Sequence, residues 1–233
     1  MKSRISFFTI LIICFFLANP VLAKDEMREV SPFSKISLRI SAKVYVEQGD
    51  KQSVKIVADP ETLEEIITEV KDRTLQIRFP TDNIFKRWDP GKIEIYITVP
   101  EIDGLTLSGS GDIVSENINT RILDLVVSGS GNIKIEQLTA EKVTANISGS
   151  GNININEGGV ANELNVRISG SGNVDARGFE AKNVSVQTSG SGNCYVVSNG
   201  EIKARISGSG NVYYSGNPAI DSSVSGSGSV KER

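Results

Sequence analysis

The sequence predicts an all-β chain: a single-stranded parallel β-helix, that is, a solenoid of roughly 20-residue coils, with one short helix in its N-terminal third. Three observations carry this. A Ser-Gly-Ser-Gly motif occurs seven times, its first serines at 108, 128, 148, 169, 189, 207 and 225, so successive copies lie 18 to 21 residues apart. Within a repeat, from Val143 to Ile155, every odd position is apolar or glycine and every even position is polar. That two-residue period is the signature of a strand, and it runs through the motif itself. Finally, like residues fall into columns. Leu107, Val127, Ile147, Ile168, Thr188, Ile206 and Val224 precede the motif, and Ile113, Ile133, Ile153, Val174, Cys194, Val212 and Val230 follow it.

Taken in order, residues 1–23 read as a signal peptide. Lys2 and Arg4 precede an apolar run from Ile5 to Leu17, and Val21-Leu22-Ala23 offers a small-residue cleavage site. The run is short for a spanning helix. Residues 24–107 read as degenerate β coils. Leu38-Arg-Ile-Ser41-Ala42-Lys43-Val44 can be laid on Leu107-Ser-Gly-Ser110-Gly111-Asp112-Ile113. Val54 to Val57, Leu75 to Phe79 and Ile93 to Ile97 alternate as strands, so about three further coils fit. Between them Asp59-Pro60-Glu61-Thr62, followed by Leu63, Ile66, Ile67 and Val70, predicts a capped amphipathic helix over 61–70 that covers the open edge of the first coil. Residues 108–233 are the regular motif-bearing helix.

Alternation assigns directions within the motif. If Ile147 and Ile153 point inward, so do Gly149 and Gly151, while Ser148, Ser150 and Asn152 face out. The glycines then mark a bend where opposing backbone comes close. Outside, Asp112, Asn132, Asn152, Asn173, Asn193, Asn211 and Ser229 form a column suited to a side-chain hydrogen-bond ladder. No coil stands alone: its roughly five aliphatic side chains are worth about 1.5–3 kcal/mol each when buried. Ordering costs about 1–2 kcal/mol for each of some twenty residues, so neighbours must supply the rest.

Composition narrows the function. Histidine is absent, which excludes Ser-His-Asp and Cys-His catalysis and the usual His-containing zinc sites. The net charge of −3 gives no basic face for nucleic acid. Beyond the signal Cys194 is the sole cysteine, so no internal disulfide forms, and its place in an aliphatic column makes it a small buried hydrophobe. The regular columns hold one acid, Asp112, where polysaccharide hydrolysis wants two. We therefore read the chain as a non-enzyme without cofactor.

The candidate ligand face is the polar outside of the corner: Ser108, Ser110, Asp112, Ser128, Ser130, Asn132, Ser148, Ser150, Asn152, Ser169, Ser171, Asn173, Ser189, Ser191 and Asn193. A second candidate, for a partner, is the loop with Phe85, Arg87 and Trp88. Both suit contact with a carbohydrate or an envelope or surface protein. A structural scaffold that associates with itself is the other reading, and Lys231-Glu232-Arg233 is placed to discourage strand addition at the last coil.

One resemblance extends this reading. Phe33-Ser-Lys-Ile36, Val44-Tyr-Val46-Glu-Gln48-Gly49-Asp50, Leu75-Gln-Ile77, Ile95-Tyr-Ile97-Thr-Val99-Pro100 and Leu105-Thr-Leu107-Ser-Gly-Ser-Gly111-Asp112 resemble the head GIN domain family, whose members are described as auto-transporter adhesins. The resemblance implies an exported β-helical protein, periplasmic, cell-surface or extracellular. It supplies no functional residues. The long alternating strands of a C-terminal membrane barrel, which an autotransporter needs, are not found in this sequence.

Overall fold

The computed structural model describes residues 24–80 and 89–233. The signal segment 1–23 and the loop residues Phe85, Arg87 and Trp88 lie outside the described residues. The rest is the expected parallel β-helix. In chain order it comprises β1 (Lys24–Met27), β2 (Lys35–Leu38), β3 (Lys43–Gln48), β4 (Ser53–Ala58), α1 (Pro60–Glu65), β5 (Ile67–Lys71), β6 (Thr74–Arg78), β7 (Glu94–Val99) and β8 (Gly104–Leu107). The long strands β9 (Asp112–Val127), β10 (Asn132–Ile147), β11 (Asn152–Ile168) and β12 (Val174–Thr188) follow. The last coils are β13 (Cys194–Val197), β14 (Glu201–Gly208), β15 (Asn211–Ser215), β16 (Ala219–Gly226) and β17 (Ser229–Glu232).

Each long strand wraps most of a coil. In β9 the alternation holds from Asp112 to Ser115, breaks at the exposed Glu116 and Asn117, and resumes inward at Ile118 and Leu123. Two consecutive exposed residues are a corner, because alternation would otherwise bury one of them. The columns stack as expected: Ile113 pairs with Ile133, Ile133 with Ile153, Ile153 with Val174 and Val174 with Cys194, all parallel. These residues are fully buried. Burial pushes the Cys194 thiol pKa up, so it stays protonated and inert. Thr188, in an aliphatic column, is buried with no partner for its hydroxyl.

Two details of the motif differ from the sequence reading. In none of the seven copies does the strand run through: β9 stops at Val127 and β10 begins at Asn132, with a bend between, and even in the last two copies β14 stops at Gly208 and β16 at Gly226. Coil-to-coil bonding nonetheless continues round that bend, with Ser128 N donating to Leu107 O at 2.8 Å and Gly131 N to Gly109 O at 3.2 Å. The glycines also answer to a different neighbour. A Cβ on Gly151 would sit 2.0 Å from the carbonyl oxygen of Gly131, and one on Gly131 would sit 1.9 Å from that of Gly111. The crowding comes from the same glycine one coil earlier, along the rod, rather than from the opposite wall.

The N-terminal third departs further. Leu38 pairs with Leu107 and Lys43 with Asp112, the register read from the sequence. Yet the coils do not stack in chain order: β2 and β3 lie between β6 and β7 on one side and β8 and β9 on the other. Two parallel coils form here rather than three, because β4 turns back antiparallel on β7 and β5 antiparallel on β6. The expected helix over 61–70 is only α1. Ile66 is extended, and β-branched Ile67, Thr68 and Val70 continue as β5. Asp72 and Arg73, both with positive φ, make the tight hairpin that returns it to β6. Asp59 provides no side-chain cap; Pro60 alone starts the helix. Leu63 and Ile66 are buried at this end, and β4, β5 and α1 together seal it.

Candidate functional site

The corner column is a working ladder. Asn132 Nδ2 donates to Asp112 Oδ1 at 2.9 Å, Asn152 to Asn132 at 2.9 Å, Asn173 to Asn152 at 3.0 Å, Asn193 to Asn173 at 3.2 Å and Asn211 to Asn193 at 3.1 Å. Ser229 Oγ ends it on Asn211 at 2.7 Å. Most of these oxygens also accept the backbone N–H of the next Asn, as Asn152 Oδ1 does from Asn173 N at 3.1 Å. The half-buried amides are thus committed to the wall. Asn152→Leu removes bonds to both neighbours and should lower the melting temperature, by about 1–3 kcal/mol of stability; an unchanged thermal melt would mean the ladder contributes nothing there.

The serines differ. Ser108, Ser110, Ser128, Ser130, Ser148, Ser150, Ser169, Ser171, Ser189 and Ser191 are all exposed. They make two rows of outward hydroxyls at the coil spacing of about 4.8 Å. Ser110 and Asp112 also line a shallow hollow of about 240 Å³ with Lys43 and Lys92.

A deeper feature lies where the sealed end meets the regular coils. Pairing between β3 and β9 ends at Val46 and Ser115. There β9 turns its corner, while β3 and β7 run straight on to Gln48 and Val99. The divergence opens a groove of about 540 Å³. Gln48 bridges its far end: Nε2 donates to Asn119 O at 3.0 Å, and Oε1 accepts Asn119 N at 2.6 Å. One wall is Tyr45 stacked on Tyr96, centroids 5.0 Å apart and planes 12° from parallel, with Val114 next in the column. Lys55 lies 4.7 Å from the Tyr96 centroid, a cation–π contact at the outer end of the stack. The polar side is Glu47, Thr98, Glu116 and Asn117. Among the described residues no group of acids and cysteines is arranged to hold a metal.

The predicted serine and asparagine face does not include this groove, although the outward place of its tyrosines was legible. Extending the alignment of 38–44 on 107–113 by one residue puts Tyr45 over Val114, and the alternation of Ile95 and Ile97 turns Tyr96 outward beside it. The groove itself was not legible, because it depends on β7 stacking beneath β3 out of chain order. A second tyrosine pair, Tyr195 on Tyr213, sits in the same outward column near the other end. There Arg177 and Arg233 lie over Tyr195, at 5.1 and 5.8 Å, and Arg177 bonds Asp175, holding that carboxyl below its usual range. Both rings of that pair are half-buried.

Comparison with known proteins places this architecture. The family model described as "Putative auto-transporter adhesin, head GIN domain" matches residues 32–218. The chain belongs to the head GIN domain family. Solved structures agree. A crystal structure called a putative adhesin from Bacteroides fragilis is 28% identical, with a TM-score of 0.85 over 91% of this chain and 97% of that one. A putative adhesin from Parabacteroides distasonis is 25% identical with a TM-score of 0.69, over 91% and 97% of the two chains. A structure called a putative lipid binding protein from the same species, 24% identical with a TM-score of 0.73 over the same shares, shares the fold. No curated protein matches the chain. Relatives in the head GIN family are thus described as adhesins.

Proposed function

We propose that this head GIN protein is an exported, non-enzymatic contact module of the cell envelope that binds carbohydrate in the Tyr45–Tyr96 groove. The observation that carries the reading is the makeup of the groove: stacked aromatic rings and Val114 beside two carboxylates and an amide. Pyranose rings present apolar C–H faces and hydroxyl edges, so they need an apolar surface flanked by polar acceptors. Glu47 and Glu116 accept sugar hydroxyls in charge-assisted bonds; among the described residues the groove lining holds no cation, Lys43 and Lys55 lying instead against the tyrosine rings at 5.2 and 4.7 Å. The ligand class is therefore neutral or amino sugars rather than acidic ones. Export is supported by the N-terminal signal pattern and by the adhesin description of the relatives.

A glycan array followed by calorimetry tests this. Binding to neutral or amino glycans should weaken at least about tenfold, roughly 1.4 kcal/mol, in Tyr96→Ala and in Glu116→Ala. Ser130→Ala on the serine rows should leave it unchanged. No binding across the array, or binding lost with Ser130 and kept without Tyr96, would overturn the groove as the site.

A further inference from the structure

We infer that the groove is one end of a longer track, and that its ligand is an extended, neutral β-linked glycan lying along the rod and reaching a second platform at Tyr195 and Tyr213. The inference rests on the carbohydrate reading of the groove and adds the linkage and the length of the chain. Four of the five tyrosines point outward in a single column, and the fifth, Tyr214, packs against the core. The register gives that column as Tyr96, Tyr45, Val114, Lys134, Asn154, Asp175, Tyr195 and Tyr213. Tyr195 stacks on Tyr213 as Tyr45 does on Tyr96, with centroids 5.0 Å apart and planes 11° from parallel. Cross-strand packing accounts for either pair by itself. It does not account for two pairs in one column.

The stretch between the platforms is electrically balanced. Lys134 is tied to Glu136 at 2.6 Å, Asn156 donates to the same carboxylate at 3.1 Å, and Arg177 is tied to Asp175 at 2.8 Å. Charges already matched by their neighbours favour an uncharged occupant. The half-buried Asn154 and the exposed Lys134 and Arg177 offer hydrogen bonds to hydroxyls along the way. Tyr45 and Tyr195 are five coils apart in register, roughly 24 Å at about 4.8 Å a coil. A chain linked equatorially at both ends of each pyranose is straight and advances by close to one coil spacing per ring, so its sugars keep step with the coils. Chains with axial linkages curl away from a straight column. A glycan long enough to touch both platforms makes the second contact intramolecularly, without a second loss of translational freedom.

Calorimetry with cello-oligosaccharides and N-acetylated chito-oligosaccharides, from dimer to octamer, tests this. In at least one series the octamer should bind at least about tenfold more tightly than the trimer. Tyr213→Leu, which fills the same place without a ring, should remove that gain and leave trimer binding unchanged, which also shows the variant to be folded. Tyr195→Leu should do the same, whereas Tyr213→Phe should keep the gain. Tyr96→Ala should weaken trimer and octamer alike. Equal affinity for trimer and octamer, or octamer binding indifferent to both leucine variants, would overturn the track and leave the groove as a site for a short sugar. Failure of both series to bind while other neutral glycans bind on the array would overturn the linkage, and the track with it, but not the groove.

Discussion

Gly151→Ala should destabilise the rod by about 3 kcal/mol, the top of the usual range for overpacking. The added methyl would lie 2.0 Å from Gly131 O and 2.7 Å from Val127 Cγ1. A flexible side chain can step aside, but a carbonyl in the wall cannot. Gly131 N is itself hydrogen-bonded to Gly109 O, and Gly151 N to Gly129 O at 3.0 Å, so relief means separating two coils that the corner bonds hold together. The damage is local in sequence but extended in space, since coils on both sides share the strain. Ser150→Ala, one residue away and pointing outward, should change stability by less than about 0.5 kcal/mol. Chemical denaturation of the pair decides the matter; equal midpoints would mean that the corner glycines are not held by stacking.

Phe179→Ala should cost about 3–5 kcal/mol, the range for emptying a buried aromatic site. Phe179 is the largest fully buried side chain among the described residues and is 1% exposed. Leu138 pairs with Gly159, and Val160 pairs with Glu180, so the column runs Leu138, Gly159, Phe179. Gly159 has no side chain to give, and a Cβ there would meet Leu138 O at 1.7 Å. A coil with an empty place thus sits beside a coil with an oversized one. Removing the ring leaves a cavity bounded by a glycine that cannot fill it, and the rigid stack above and below resists collapse. Phe179→Leu should recover most of the loss in the same denaturant titration. A Phe179→Ala change of under about 1 kcal/mol would show that the site closes over the missing ring.

These two cases mark what was legible. Repeat period and two-residue alternation placed the regular columns correctly because both are local, one-dimensional patterns: a parallel in-register stack converts sequence spacing directly into neighbourhood. The asparagine ladder was readable for the same reason. Phe179 was not, since the coil before it, from Ser148 to Ser169, lengthens to 21 residues and a register shift between Asn154 and Val160 displaces the column. The helix forecast over 61–70 held only as far as Glu65, and its second half gave way on tertiary grounds. Leu63, Ile66, Ile67 and Val70 fit a helical period, yet an unpaired β6 edge recruited Ile67–Lys71 as a strand, satisfying backbone groups that a helix there would have left open.

The sequence alone determined the coil, its inward and outward faces, and the identity of the corner residues, because each follows from which residues recur at a fixed interval. Only the tertiary structure decided the order of the first coils, with β2 and β3 between β6 and β7 and β8 and β9. From that order come the tyrosine groove and the end that β4, β5 and α1 close. The physical reason is that edge satisfaction is not periodic: how a stack begins and ends depends on which backbone groups remain unpaired in space, and no repeat in the chain encodes that.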